Sequence, residues 1–307
     1  MFVNTLQNKL RGPCQRSNFH IHAGTGPGTC GAYAIDDVIS NYKAVGYTCL
    51  CLSNHNLLTD PATFDNRGLN MIPGYEYTSD KHLVCLGAKT MAFDPADTSD
   101  EALQKAAETC VSEGGFAILC HPHWPEEWHT GREFLDRTFG FEGIEVFNAA
   151  TDRDVGAKGR TACMNAQDYL LSRGRLVWGV GSDDFHRWWH LAAGWNMIYA
   201  DNTPEAIIKA LKAGEFYVSS GLRLMDLSII EDRLHVEVCN PSGYVDEYRY
   251  RFVGRHGRLL KTVESASADY MLCGDEGYVR VEVYCPGGNV LLTQPVYDTE
   301  FFKENNK

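Results

Sequence analysis

The sequence lacks any apolar stretch that approaches the roughly 18 residues a membrane-spanning helix requires. Its first segment, MFVNTLQNKLRGPC, contains basic residues without an apolar run behind them, so we expect neither a secretion signal nor a membrane span. It also lacks any CxxC pair, although it contains 11 cysteines, which lie mostly within apolar runs such as YTCLCL and FAILC. We therefore expect buried, reduced thiols and a cytoplasmic location, with a disulfide framework or a zinc–thiolate site as the alternatives.

Positive charge is scarce, because 28 lysines and arginines stand against 40 acidic residues and the formal charge is −12. Nucleic acids and anionic membranes bind to cationic surfaces, so we expect no stable nucleic-acid complex and no membrane association. A hydrophobic content of 44% and a charged content of 22% are typical of a globular protein. Any anionic substrate must therefore meet local positive charge, and the oligomeric state stays open.

Short apolar runs alternate with segments of helical period as far as about residue 220, which is typical of parallel β/α architectures. The helical segments contain apolar residues at i, i+3, i+4 and i+7, as in Ile35, Val38, Ile39 and Tyr42. The other three helices are predicted around 103–111, 162–170 and 203–211. Strands are predicted at 18–22, 47–53, 71–78, 82–87, 116–120, 143–147 and 176–180.

The pattern changes after residue 220, where LHVEV, EYRYRFV and YVRVEVY alternate polar and apolar residues with no helical segment between them. Turn sequences such as NPSG and CPGG separate these runs. We therefore predict a β/α domain over 1–220, an antiparallel, sandwich-like β domain over 221–300, and a frayed tail over 301–307.

Side chains that can bind metals recur at or just after the ends of the predicted strands. The carboxyl ends of parallel strands meet at one rim, so we expect these side chains to converge. In His20-Ile21-His22 the two imidazoles lie on one face of an extended strand. A set of histidines and acids without thiolates suits zinc, manganese or iron, and is typical of catalytic sites. The candidate ligands are His20, His22, His55, Glu76, His82, His121, Asp184 and His186.

Four motifs in this order, HIH, SNHN, CHPHW and DDFH, resemble those of the PHP (polymerase and histidinol phosphatase) superfamily of metal-dependent phosphoesterases. The resemblance covers roughly residues 17 to 220 and implies a distorted seven-stranded β/α barrel of the TIM-like, PHP type. It is closest to members with an appended β-sandwich.

The resemblance also implies how the ligands are shared among two or three divalent ions. His20, His22, Glu76 and Asp184 would hold one ion, and Glu76 would bridge to a second ion held with His82 and His121. His55 and His186 would help to hold a third. The loop AGTGPGTCG contains neither the aspartate nor the histidine that completes this third site in many members. The third ion is therefore absent, weakly held, or completed by water and substrate.

We expect a hydrolase that cleaves a small phosphoester, such as a nucleotide or sugar phosphate, with a hydroxide bridging the ions. Asp184 or His186 would orient that nucleophile. His123 or Arg187 would bind a phosphoryl oxygen or protonate the leaving group. Two alternatives stay open at this point. One is a binuclear hydrolase of carboxylic esters, carbamates or amides, and the other is a metal-binding scaffold without catalysis.

Overall fold

A computed structural model describes residues 1–29, 33–91, 93, 94, 96–126, 128–153, 160–243, 245 and 247–305. Within these residues the strands are β1 (Phe2–Val3), β2 (Gln15–Asn18), β3 (Cys49–Leu50), β4 (Asn70–Met71), β5 (Gly74–Thr78), β6 (His82–Leu86), β7 (Phe116–Leu119), β8 (Gly143–Asn148), β9 (Trp178–Ser182), β10 (Trp195–Ile198), β11 (Phe216–Ser219), β12 (Arg223–Ile230), β13 (Arg233–Cys239), β14 (Tyr248–Gly254), β15 (Arg258–Ser265), β16 (Ser267–Met271), β17 (Tyr278–Tyr284), β18 (Val290–Thr293) and β19 (Val296–Asp298). The α-helices are α1 (Ile35–Ala44), α2 (Asp100–Ser112), α3 (Arg132–Arg137), α4 (Ala150–Arg153), α5 (Asn165–Leu171), α6 (Pro204–Lys212) and α7 (Thr299–Asn305), and 3-10 turns cover Pro61–Thr63 and Arg255–Gly257.

The first of three sheets contains β5 to β9, in chain order. Strands β5, β6 and β7 pair antiparallel, whereas β7, β8 and β9 pair parallel. Helix α2 covers one face of this sheet and buries Leu103, Ala106, Ala107 and Cys110, which recur with helical period. The Ser99 hydroxyl caps the helix by accepting a hydrogen bond from the Ala102 N–H at 3.2 Å.

The largest sheet runs in the order β1-β19-β17-β18-β11-β10-β2-β3-β4, and β14 and β15 extend it from β17. Only β2, β3 and β4 pair parallel in this sheet. The third sheet is antiparallel, in the order β12-β13-β16. Two isolated bridges, Ile21 to Phe185 and His55 to Glu76, connect the parallel edge of the large sheet to the five-stranded sheet.

The predicted seven-stranded β/α barrel is wrong. The described strands form three open sheets, and strand residues outnumber helical ones. A parallel pair requires a crossover of a dozen or more residues, but only residues 79–81 separate β5 from β6. That link closes a hairpin instead. The connection from β9 to β10 likewise contains no α-helix, and β10 runs antiparallel to both of its neighbours.

The large sheet continues across residue 220, the predicted domain boundary. Strand β11 ends at Ser219 and pairs with β18, so one sheet contains strands from both sides of that position. Helix α7 occupies Thr299–Asn305 and so covers most of the segment predicted to fray, and its Phe302 ring packs edge-on against Tyr297. Residues 306 and 307 lie outside the described residues.

The four predicted helical segments are present as α1, α2, α5 and α6, although α5 begins only at Asn165. In the part of the chain that the structure describes, no helix combines the length and the apolar character needed to cross a membrane. Each described cysteine is a free thiol.

Candidate metal centre

The eight predicted ligands lie together where the five-stranded sheet meets the parallel edge of the large sheet. His20 and His22 follow β2, and the bridge between Ile21 and Phe185 sets them beside the segment after β9. His55 follows β3 and is bridged to Glu76, which lies within β5. The other four occupy the first residue of β6 and positions just after β7 and β9, and are His82, His121, Asp184 and His186.

Glu76 is the central carboxylate of this group. Its side chain is fully buried, and nitrogens of five histidines lie within 3.5 Å of its oxygens. The distances are 3.1 Å from His20 Nε2, 3.5 Å from His22 Nε2, 2.5 Å from His55 Nδ1, 2.8 Å from His82 Nδ1 and 3.5 Å from His121 Nε2. A carboxylate with both oxygens in contact with imidazoles has the arrangement of a bridging ligand.

Asp184 supplies the second carboxylate. Its Oδ1 lies 3.2 Å from His20 Nε2, 3.3 Å from His22 Nε2 and 3.4 Å from His186 Nδ1. The backbone of Asp184 has a φ of 46°, and that of His121 has a φ of 24°. L-residues seldom adopt such angles, and strain of this kind persists where the surrounding structure holds a functional side chain in place.

Sets of three side chains present ligand atoms within 4.8 Å of one another. The sets are His22, His55 and His186; His20, His121 and Asp184; His55, Glu76 and His82; and His20, Glu76 and Cys120. This grouping differs from the one that the family resemblance implies, because His55 lies with Glu76 and His82 as well as with His22 and His186. The buried histidines and acids can therefore hold metal ions.

The hydrogen bonding of the histidines fits a metal. Among the described residues, no hydrogen-bond partner is present for either ring nitrogen of His22, for His20 Nε2 or for His121 Nδ1, although all four atoms are buried. A buried polar atom without a partner costs about 1–3 kcal/mol. A cation bound by His20 Nε2 and His22 Nε2, which face Glu76 and Asp184, removes that cost for these two atoms, because histidine nitrogens and carboxylate oxygens are ordinary ligands of zinc and related ions.

The electrostatics of the centre favour a cation as well. Burial alone would raise the pKa of Glu76, but the adjacent His20 and His82 imidazoles hold it well below its usual value. Burial also opposes ionisation of Asp184, yet His20 and His22 lower its pKa well below the usual range. Conversely, burial lowers the pKa of His20, whereas Asp184 and Glu76 raise it well above its ordinary value. The carboxylates are thus ionised and stabilise positive charge between them.

Glu145 is a buried carboxylate in β8 that the sequence analysis missed. Its Oε1 accepts hydrogen bonds from the Nδ1 of His20 at 2.8 Å and from the Ser182 hydroxyl at 2.6 Å. Its Oε2 accepts from the His121 backbone N–H at 2.7 Å and from Asn148 Nδ2 at 2.8 Å. Because Nδ1 of His20 donates here, Nε2 is the nitrogen that faces Glu76 and Asp184 and that would bind an ion. The available signal was a lone glutamate inside the apolar run GIEVF.

Replacing Glu145 with glutamine is expected to weaken metal binding by about 10- to 100-fold. All four partners of Glu145 donate hydrogen bonds, and the amide NH₂ of glutamine cannot accept the two that one carboxylate oxygen now receives. Competition against a chromophoric chelator measures the affinity. Glu237→Gln, at an exposed position in β13, is the matched control and should bind as the unaltered protein does. Equal affinity in the Glu145 and Glu237 variants would contradict the positioning role.

A cavity of about 240 Å³ opens onto the centre. Six of the eight ligand residues named above line it, together with Arg187, which directly follows His186 and is exposed. Arg187 Nη1 donates to the carbonyl oxygen of His186 at 2.8 Å, which holds the guanidinium beside the cavity. Trp124, Ala150 and Thr151 complete the wall and were not predicted.

Two predicted features are absent from the described wall of this cavity. His123, a predicted catalytic residue, is buried and is not among the described residues that line the cavity, and burial lowers its pKa to about 4. A neutral imidazole in that position suits packing beneath the centre better than contact with substrate. The glycine-rich loop predicted at the rim is described only in part, because residues 30–32 lie outside the described residues.

No protein-family model matches this chain, and no curated protein matches it either. Function is therefore inferred from the residues and geometry of the centre.

Proposed function

We propose that the protein is a metal-dependent hydrolase that cleaves a small phosphoester. The observation that carries this proposal is a buried and half-buried group of six histidines and two carboxylates that opens onto a small cavity with an arginine at its wall. Two ions, and a third where His22, His55 and His186 meet, would be held by these side chains. Zinc, manganese and iron suit this donor set.

An ion in such a site acts as a Lewis acid, lowers the pKa of water and offsets negative charge on a phosphoryl group. Arg187 is the one lysine or arginine among the described residues that line the cavity, so it binds a substrate oxygen through the N–H groups not used by the His186 carbonyl. His186 keeps its Nδ1 on the Asp184 carbonyl oxygen at 2.9 Å, which directs Nε2 toward His22 and His55. Asp184 orients the nucleophile through the same carboxylate that faces three imidazoles.

The size of the cavity supports a small substrate. About 240 Å³ is below the usual range for pockets that hold drug-sized ligands. The cavity therefore suits a phosphoryl group and a short part of the alcohol to which it is esterified. The net charge of −12 opposes binding of a long polyanion, whereas Arg187 and the bound ions supply positive charge locally. The order of the four motifs, which resembles that of the PHP superfamily, supports the same reaction.

The test is an assay of nucleotide and sugar phosphomonoesters with Mn²⁺, Zn²⁺ or Fe²⁺, beside a sample treated with chelator. We expect chelation to reduce hydrolysis by about 100-fold or more and added ions to restore it. Metal content is measured in the same samples by mass spectrometry. Activity that is indifferent to chelation would contradict the proposal. A parallel panel of carboxylic esters, carbamates and amides tests the alternative substrates, and bound metal without turnover of any substrate would indicate a scaffold.

A further inference from the structure

A second cavity, of about 420 Å³, lies where helices α3 and α5 meet the turn at 255–257 of the C-terminal strands. Its wall is formed by Trp128, Arg132, Asp168, Tyr169, Arg173 and His256, and we name it the arginine groove. Among the described residues, none that lines the metal cavity also lines this groove. It is therefore a separate candidate site.

The two arginines of the groove are held by aromatic rings. The guanidinium carbon of Arg132 lies 4.8 Å from the ring centre of Trp128 and 5.7 Å from that of Tyr169. The guanidinium carbon of Arg173 lies 3.8 Å from the same Tyr169 ring. Because both contact one ring, the two guanidinium groups are within about 10 Å of each other. The aromatic rings thus keep both guanidinium groups at the wall of the groove.

The two arginines differ in their acidic partners. Within the described parts of the chain, no carboxylate pairs with Arg132, which is exposed. Arg173 pairs with Asp136, Nε to Oδ1 at 3.3 Å, and the same carboxylate also accepts a hydrogen bond from the Tyr169 hydroxyl, so it divides its charge between two donors.

The acid in the groove wall is already compensated. Asp168 is buried, and it accepts two hydrogen bonds from Arg280, at 2.8 and 2.6 Å, and one from the Tyr278 hydroxyl at 2.8 Å. Its charge therefore does little to repel an anion. The wall of the groove therefore combines two guanidinium groups with one compensated acid, in a protein whose net charge is −12.

The turn at 255–257 forms one wall of the groove, and its backbone adopts a left-handed conformation that favours glycine. Gly257 has a φ of 67°, and a Cβ atom there would lie 3.2 Å from Asp168 Oδ2. The His256 N–H donates to the Ser172 hydroxyl at 2.7 Å, which attaches the turn to the end of α5. His256, with a φ of 62°, lines the same groove as the two arginines.

We propose that the arginine groove binds the phosphate group of a small molecule. Guanidinium groups match phosphate oxygens with paired, charge-assisted hydrogen bonds, and the imidazole adds a third donor. The site is independent of the metal centre, so a ligand bound here is a second ligand of the protein rather than the substrate that the proposed reaction consumes.

The test is a titration of the purified protein with inorganic phosphate by isothermal calorimetry, with and without chelator. We expect a saturable site with a Kd of about 1 mM or tighter that persists when chelator removes binding at the metal centre. Arg132→Gln combined with Arg173→Gln should weaken this site by about tenfold or more. Arg137→Gln, on the same helix but paired with Asp100, is the matched control and should bind normally.

Both arginines of the double variant are exposed, so we expect its circular dichroism and thermal midpoint to be unchanged. Arg132→Lys keeps the positive charge at this position, so it should retain more phosphate affinity than Arg132→Gln. Failure to find chelator-resistant phosphate binding, or binding that survives in the double variant, would overturn the proposal. Neither result bears on the chelator-sensitive hydrolysis that tests the metal centre.

Discussion

Replacing Glu76 with glutamine is expected to remove at least one metal ion and to lower phosphoester hydrolysis by about 10³-fold or more. Glu76 is the carboxylate with the most imidazole contacts, and its two oxygens face different sets of histidines. Glutamine has nearly the same shape but no charge, and its NH₂ end cannot bind a cation. The cation would then sit among neutral imidazoles, with only Asp184 to balance it at this position.

Metal content by mass spectrometry and initial rates with added Mn²⁺ or Zn²⁺ measure the effect of Glu76→Gln. Glu264→Gln is the matched control, because Glu264 is an exposed glutamate that pairs with Arg249 far along the chain in β15. Circular dichroism shows whether each variant keeps its fold. Full metal occupancy in a folded Glu76→Gln protein would exclude the assigned role of this carboxylate, and loss of both metal and activity in Glu264→Gln would show that the effect is not local.

The positions of the candidate ligands were readable from local sequence because each follows or begins an apolar run. The ends of neighbouring buried strands lie close together in many kinds of sheet. The predicted convergence of His20, His121 and Asp184 therefore did not require a barrel. Which side chains share a cation was less readable. His55 lies with Glu76 and His82 in one set, and this depends on ring orientation and on the isolated bridge between His55 and Glu76.

The fold class was mispredicted because strand direction was taken from the alternation of apolar runs and helices. The short link at 79–81 already required antiparallel pairing of β5 with β6, because no crossover fits in three residues. The run predicted as one strand over 71–78 is also two, since β4 ends at Met71 and β5 begins at Gly74. Pro73 lies between them and has no N–H to donate to a strand ladder.

The hydrophobic pattern of the sequence did not identify three residues of the site, namely Glu145, Trp124 and Thr151. Glu145 lies in a strand whose other residues are buried, and only its partners from three other segments distinguish it from a misplaced charge. Trp124 and Thr151 reach the cavity from the segments after β7 and β8, whose paths depend on tertiary contacts.

Arg280→Met is expected to lower the free energy of unfolding by about 3–5 kcal/mol, because it breaks a buried ion network and leaves charges without partners. Arg280 lies in β17, is almost fully buried, and binds Asp168 of α5 through two nitrogens and Glu282 through the third, at 2.5 Å. After the substitution, Glu282 still accepts a hydrogen bond from Arg251 at 2.7 Å. Among the described side chains, Asp168 would then accept a hydrogen bond only from the Tyr278 hydroxyl. Urea titration measures the loss, with Arg233→Met, at an exposed arginine 4.0 Å from Asp269, as a control that should change stability by less than about 0.5 kcal/mol.

A second substitution separates the lost ion pair from lost packing at Arg280. If the cost of Arg280→Met comes from an uncompensated Asp168, then adding Asp168→Leu should recover part of the stability, since an apolar pair of similar volume avoids the desolvation of both ions. Overpacking or an altered turn at 255–257 would instead make the double variant less stable than either single one. Because Asp168 also lines the arginine groove, phosphate binding in the double variant reports whether the groove depends on this network for its shape.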